Sequence, residues 1–183
     1  MNNTVYIAIV GLPGSGKTKA SDFFREHGFT VLRFGDQTDI GLKELGLELN
    51  EANERQYREN IRKELGMAAM AIKIEPRIRE AEASTRTIAL DGMRSWEEYV
   101  YLKEKFPGLR VLSVYASPAT RYARLARRAV RPLTESESKE RDRAEIEKLN
   151  SGGPIAIADY VIKNEGTPQD LDAELNTFLQ TIV

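Results

Sequence analysis

Residues 11–18 read GLPGSGKT, and this octet limits the possible folds more than any other stretch of the chain. It follows the apolar, β-rich run TVYIAIV at 4–10 and opens KTKASDFFREHG, which is helical in pattern and stopped by Gly28. The frame is therefore strand, glycine-rich loop, helix. Gly11, Gly14 and Gly16 allow backbone conformations and close approach that a Cβ would forbid. The stretch Pro13-Gly14-Ser15-Gly16-Lys17-Thr18 can then turn its N–H groups inward, aided by the positive end of the helix dipole. Such a cradle binds the phosphates of a nucleotide. Lys17 reaches the β- and γ-phosphates, and the Thr18 hydroxyl can ligate Mg²⁺. The expected ligands are ATP and Mg²⁺.

The rest of the chain supplies the sheet for this frame. FTVLRF (29–34), TIALDG (87–92), RVLSVYA (110–116) and ADYVIKN (158–164) read as further strands with helical segments between them. Alternating strands and helices predict an α/β sandwich with a parallel sheet. The 183 residues suit one domain. Two helical excursions, about 37–84 and 129–155, supply no strand and are expected to stand over the carboxyl edge of the sheet, where α/β proteins bind ligands. A net charge of -1 gives no reason to expect a nucleic-acid partner, and the absence of cysteine excludes disulfides and thiolate metal sites. No secretory, membrane-spanning or lipidation signal is visible. The expectation is a cytoplasmic protein without a membrane partner, monomeric or homodimeric.

What becomes of the terminal phosphate depends on the other motifs. No Asn-Lys-x-Asp segment for reading guanine is present. FGD (34–36), RKELG (62–66), LDGMRS (90–95), SPATRYARLARR (117–128), ERDRAE (140–145) and AIADYVIKNEGT (156–167), with the phosphate loop, resemble the nucleoside monophosphate kinase superfamily. The nearest resemblance is to dephospho-CoA kinase and to adenylate kinase-related proteins. It extends over nearly the whole chain. It implies a five-stranded sheet of order 2-3-1-4-5 sandwiched by helices, with 37–84 as an acceptor-binding insertion and 129–155 as a lid. It also implies a phosphotransferase whose small-molecule acceptor is AMP, another monophosphate or dephospho-CoA. A regulator or slow NTPase whose arginines face a protein partner is the alternative class. RNA binding through 121–131 is a weaker one.

Several residues acquire roles from this resemblance. Asp36 matches the place of an acid that faces the acceptor hydroxyl, although the family's acid pair is here Phe34-Gly35-Asp36. Asp91, at a strand tip, is suited to hold Mg²⁺ through water, and Gly92 lets the chain turn. Arg94 and Arg62 match acceptor-phosphate arginines, because a guanidinium binds phosphate oxygens bidentately. Tyr57, Ile61 and Leu65 fall at helical spacing and form a buried stripe, whereas Arg55 and Arg58 read as a solvated face paired with Glu59 and Glu54. Arg121, Arg124, Arg127, Arg128, Arg131, Arg141 and Arg143 read as a cationic clamp on the transferring group. Arg124 and Arg128 fit the family pattern best, and Arg141 comes next. Relatives carry acids just after the basic run, where this chain has Pro132 and Leu133. Lys163, Asn164 and Gly166 resemble a loop that touches the adenine.

Overall fold

The computed structural model describes residues 4–182. Strand β1 (Val5–Val10) sits at the centre of the sheet and alternates its side chains between two cores. Tyr6, Ala8 and Val10 enter one core, and Ile7 and Ile9 the other. A strand buried on both faces must be apolar throughout, which is why TVYIAIV lacks polar alternation. With β2 (Thr30–Arg33), β3 (Thr87–Asp91), β4 (Leu109–Tyr115) and β5 (Tyr160–Lys163), the sheet is wholly parallel in the order β2-β3-β1-β4-β5. This is the expected architecture.

Helix α1 (Lys17–Glu26) packs Phe23 and Phe24 on one face of the sheet, next to Leu171, Leu175 and Phe178 of α9 (Pro168–Leu179). The opposite face is covered from the first excursion, which is broken into three helices rather than one. These are α2 (Asp36–Glu44), α3 (Glu51–Leu65) and α4 (Ala69–Glu82). The breaks fall where Gly46 and Gly66 take left-handed backbone angles, φ 67° and 75°. Tyr57 and Ile61 of α3 are buried as their spacing requires, and Ile74 and Ile78 of α4 reach the sheet. Helix α5 (Trp96–Lys105) completes this layer behind a Ser95/Glu98 capping box.

The second excursion follows α6 (Pro118–Ala126), which opens with the expected Ser117 cap and Pro118. It holds α7 (Glu135–Glu147), capped by Thr134 and Glu137, and the short α8 (Gly152–Ala156). Strand register fixes what these helices overhang. Ile9 of β1 and Arg33 of β2 both pair with Asp91 of β3, so three strand tips end together beside the phosphate loop. None of the described helices is long and apolar enough to cross a membrane.

Candidate active site

The phosphate loop is shaped by glycines that nothing else could replace. Gly14 and Gly16 have φ 83° and 111°, and a Cβ would strike the Arg121 carbonyl from Gly14 and the Asn164 side-chain amide from Gly16. Gly16 also begins α1 without any side-chain cap, and no acid lies in the first turn. The leading N–H groups of α1 thus have neither intrahelical acceptors nor a competing carboxylate, which fits them to an anionic ligand. Lys17 curls back so that Nζ donates to the carbonyls of Gly11 (2.6 Å) and Leu12 (3.2 Å). Burial, with Arg94 and Arg128 nearby, draws its pKa down to about 8, although Glu145 and Asp91 oppose the shift. Cations held this close together are destabilised until an anion arrives.

A cavity of about 700 Å³ extends from this loop across the carboxyl edge of the sheet. From the phosphate loop Gly11, Pro13, Gly14, Gly16, Lys17 and Thr18 line it, joined by Asp91 and Gly92 at the end of β3. Asp36, Arg62, Arg94, Arg124, Arg128 and Arg141 line the same cavity, and the charges of Arg94 and Arg128 act on Lys17. Most residues singled out from sequence therefore meet in one space. Ser15, Lys163, Asn164 and Gly166 do not line it, and Ser15 is buried.

The acids of the cavity are individually constrained. Burial raises the pKa of Asp91, while Arg33 at 3.7 Å and Lys17 pull it down. The Asp91 carboxylate and Thr18 hydroxyl are hard oxygen donors beside Lys17, the set a water-rich Mg²⁺ site uses. Asp36 lies in the first turn of α2 and pairs with Arg77 at 3.4 Å, a partner the sequence did not suggest. Glu98 is buried and accepts the N–H groups of Arg94 (2.7 Å) and Ser95 (3.1 Å), fixing the turn that presents Arg94. Burial raises its pKa, against those N–H bonds and the charge of Arg62. Arg94 in turn meets Glu145 of α7 at 3.1 Å.

The arginine series divides, which corrects the reading of all seven as one clamp. Arg124, Arg128, Arg131 and Arg141 line the cavity; Arg121, Arg127 and Arg143 do not. Arg143 lies outside and pairs with Glu147. Arg121 is 3% exposed and grips Asp142 bidentately at 2.8 and 2.6 Å, while also donating to the carbonyls of Pro13 and Ala116. Arg124 braces the loop after β5, donating to the Asn164 carbonyl, the Asn164 side chain and the Gly166 carbonyl. Arg62, Arg128, Arg131 and Arg141 have no carboxylate within ion-pair distance among the described residues. Arg58, read from sequence as solvated, lines the cavity next to its partner Glu54, whereas Arg55 lies outside.

Asn164 also braces the phosphate loop. Its side chain is 149 residues away from Ser15 in sequence yet donates to the Ser15 carbonyl at 2.7 Å, so it holds the phosphate loop in shape. Asn164→Ala should cost roughly 1–3 kcal/mol, because the Ser15 carbonyl is left buried without its donor. It should also weaken ATP binding. Chemical unfolding and calorimetric titration measure the two effects separately.

Comparison with known proteins decides the family. An AAA domain model matches residues 7–148. UPF0200 protein TK1334 of Thermococcus kodakarensis is 30% identical over 181 residues, covering 97% of each chain. This chain belongs to the AAA domain family and to the UPF0200 proteins. Among solved structures, TT1252 from Thermus thermophilus superposes with a TM-score of 0.70 at 19% identity, covering 99% of both chains. Shikimate kinase from Bacteroides thetaiotaomicron gives 0.61 at 13% identity, covering 97% of this chain and 99% of that one. At such identities these matches establish the fold alone, and it is a P-loop kinase-like fold. The cavity of this UPF0200 chain thus lies where that architecture places its phosphate loop.

Proposed function

We propose that the protein is a phosphotransferase that moves the γ-phosphoryl group of ATP·Mg²⁺ to a nucleotide-type acceptor, namely a nucleoside monophosphate such as AMP, or dephospho-CoA. The observation that carries this reading is the distribution of charge around one cavity. Besides Lys17 and the start of α1, the same cavity is lined by Arg62 and Arg94, and Arg62 has no carboxylate within ion-pair distance among the described residues. The phosphate loop and Lys17 suffice to hold one nucleotide, so the additional arginines fit a second anionic molecule in the same cavity. The donor phosphates lie against the N–H groups of the loop and Lys17, with Arg128 beside them. Thr18 and Asp91 are the residues that would hold Mg²⁺, which when bound would neutralise charge on the phosphate oxygens. Arg62 and Arg94 hold the phosphate that the acceptor already carries, and Asp36 positions the remainder of that molecule. Arg141 adds positive charge from α7.

The test is ADP formation from ATP·Mg²⁺ with AMP, CMP, dTMP or dephospho-CoA, with Lys17→Ala as the control. One acceptor should raise the rate strongly. Arg94→Ala should raise KM for that acceptor about 10- to 100-fold, the value of one charged hydrogen bond of about 1.5–3 kcal/mol. A slow rate indifferent to every acceptor would instead fit a nucleotide-binding regulator or slow NTPase.

A further inference from the structure

The side chain that the proposed reaction leaves unused is Glu145. Its residue is only 7% exposed, yet it lines the cavity, with Oε1 3.1 Å from Arg94. It is also close enough to Lys17 and to Arg62 for its charge to act on both. Its backbone cannot easily carry it away. One turn earlier, Asp142 is locked to buried Arg121, and the Glu145 carbonyl accepts both Ser151 Oγ (2.7 Å) and Ser151 N–H (3.1 Å). A buried carboxylate is thus placed in the cavity against Arg94, the arginine assigned to the acceptor.

That position bears on the nucleophile. A monophosphate acceptor attacks through an oxygen that is already anionic, and a fixed carboxylate beside Arg94 opposes its approach. A hydroxyl approaches uncharged and must lose a proton as it attacks, so a carboxylate in this place assists it. The carboxylates whose charges act on Lys17 are Glu145 and Asp91. Asp91 is the neighbour of the metal position, Glu98 is committed to the N–H groups of Arg94 and Ser95, and Asp36 and Glu54 pair with arginines of the first excursion, whereas the partner of Glu145 is the arginine assigned to the acceptor. Resting on the phosphotransfer reading, we infer that Glu145 is a catalytic carboxylate that accepts the proton of an attacking hydroxyl, and that the acceptor is an anionic alcohol and not the phosphate oxygen of a monophosphate. In the step, the acceptor O–H proton passes to Glu145 and the acceptor oxygen bonds to the γ-phosphorus. The bond from that phosphorus to the bridging oxygen breaks, ADP leaves with the electron pair, and Glu145 releases its proton to solvent.

The experiment is single-turnover ADP formation by the full chain with excess protein, using dephospho-CoA as the alcohol, AMP as the phosphate-oxygen acceptor, and water alone. Wild type, Glu145→Gln and Glu145→Asp are compared, with ATP affinity and thermal melting measured for each. Transfer to the alcohol, or to water if dephospho-CoA is not taken, should fall at least about 100-fold in Glu145→Gln with ATP affinity within about threefold. Glu145→Asp keeps the carboxylate but draws it back by one methylene, so it should retain a larger share of the rate. This variant decides the matter if Glu145→Gln does not fold. A loss below about tenfold, an equal loss in both variants, or wild-type transfer to AMP that outpaces transfer to the alcohol overturns the inference and leaves phosphotransfer standing. Absence of any Lys17-dependent ADP formation in wild type overturns the proposed function, and the inference with it.

Discussion

Replacing Lys17 with methionine is expected to lower turnover of ATP by at least roughly 10²- to 10³-fold and, at neutral pH, to raise the stability of the ligand-free protein. The first effect follows from geometry. Lys17 is the cation at the head of α1, and a preorganised donor facing developing phosphate charge has about this value. The second follows from its pKa, drawn from the ordinary lysine value of 10.5 down to about 8 by burial and by the positive charges of Arg94 and Arg128. A lysine that protonates more readily in the unfolded chain opposes folding while both states are charged. Below pH 8 the full penalty is present, up to about 3 kcal/mol at 1.36 kcal/mol per pH unit. It fades as pH rises from about 8 towards 10.5, so wild-type stability should climb across that window. Lys17→Met should be more stable than wild type at pH 7 and should lack the climb. Chemical unfolding at pH 7 and at pH 9.5, with ATP titration at pH 7, measures both halves. An unchanged or lower stability at pH 7 would refute the charge-crowding account while leaving the catalytic role intact.

The same residue shows why this site was readable at one end and opaque at the other. Lys17 belongs to a pattern in which eight successive residues are dictated by a single backbone shape. Strand β1, the loop and α1 were legible because their signals are local. Arg62, Arg94, Arg128 and Arg141 were legible from motifs with comparable order and spacing, and all of them line the cavity. Glu145 carried no such mark. On α7 it sits among Glu135, Glu137, Glu140 and Glu147, and only burial against Arg94 distinguishes it. Glu98 reads from sequence as an ordinary residue of a helix's first turn, although it fixes the turn of Arg94. Asn164 was noticed as part of the loop after β5, but its bond to the Ser15 carbonyl, across 149 residues, leaves no local trace. Arg58 was set aside because its pairing with Glu54 satisfied a rule of helix surfaces; the pair is present, and it faces the cavity.

The series Arg121 to Arg143 failed as a unit for a physical reason that also gives the largest stability effect expected in this chain. Arginines at helical spacing are indistinguishable in sequence, yet Arg121 points inward. With Arg121 at 3% and Asp142 at 8% exposure, both charges are out of water, and each depends on the other for neutralisation. Arg121→Ala should therefore destabilise the protein by about 3–5 kcal/mol, since it leaves a buried carboxylate uncompensated. In a chain of this size that amounts to a fall in Tm of roughly 6–20 °C. Only Tyr122, whose hydroxyl donates to Asp142 at 2.9 Å, would remain on that carboxylate. Asp142→Ala should cost a comparable amount, and the double variant much less than the sum of the two, because the charges are then removed together. The pair also ties α7 to the Pro13 carbonyl of the phosphate loop, and Arg141 and Glu145 of this helix line the cavity. Amide exchange should accordingly rise along the whole of α7 in Arg121→Ala while the sheet stays protected. A loss of stability below about 1 kcal/mol, or exchange in α7 that is already fast in wild type, would show that α7 moves freely and that the cavity walls are set in some other way.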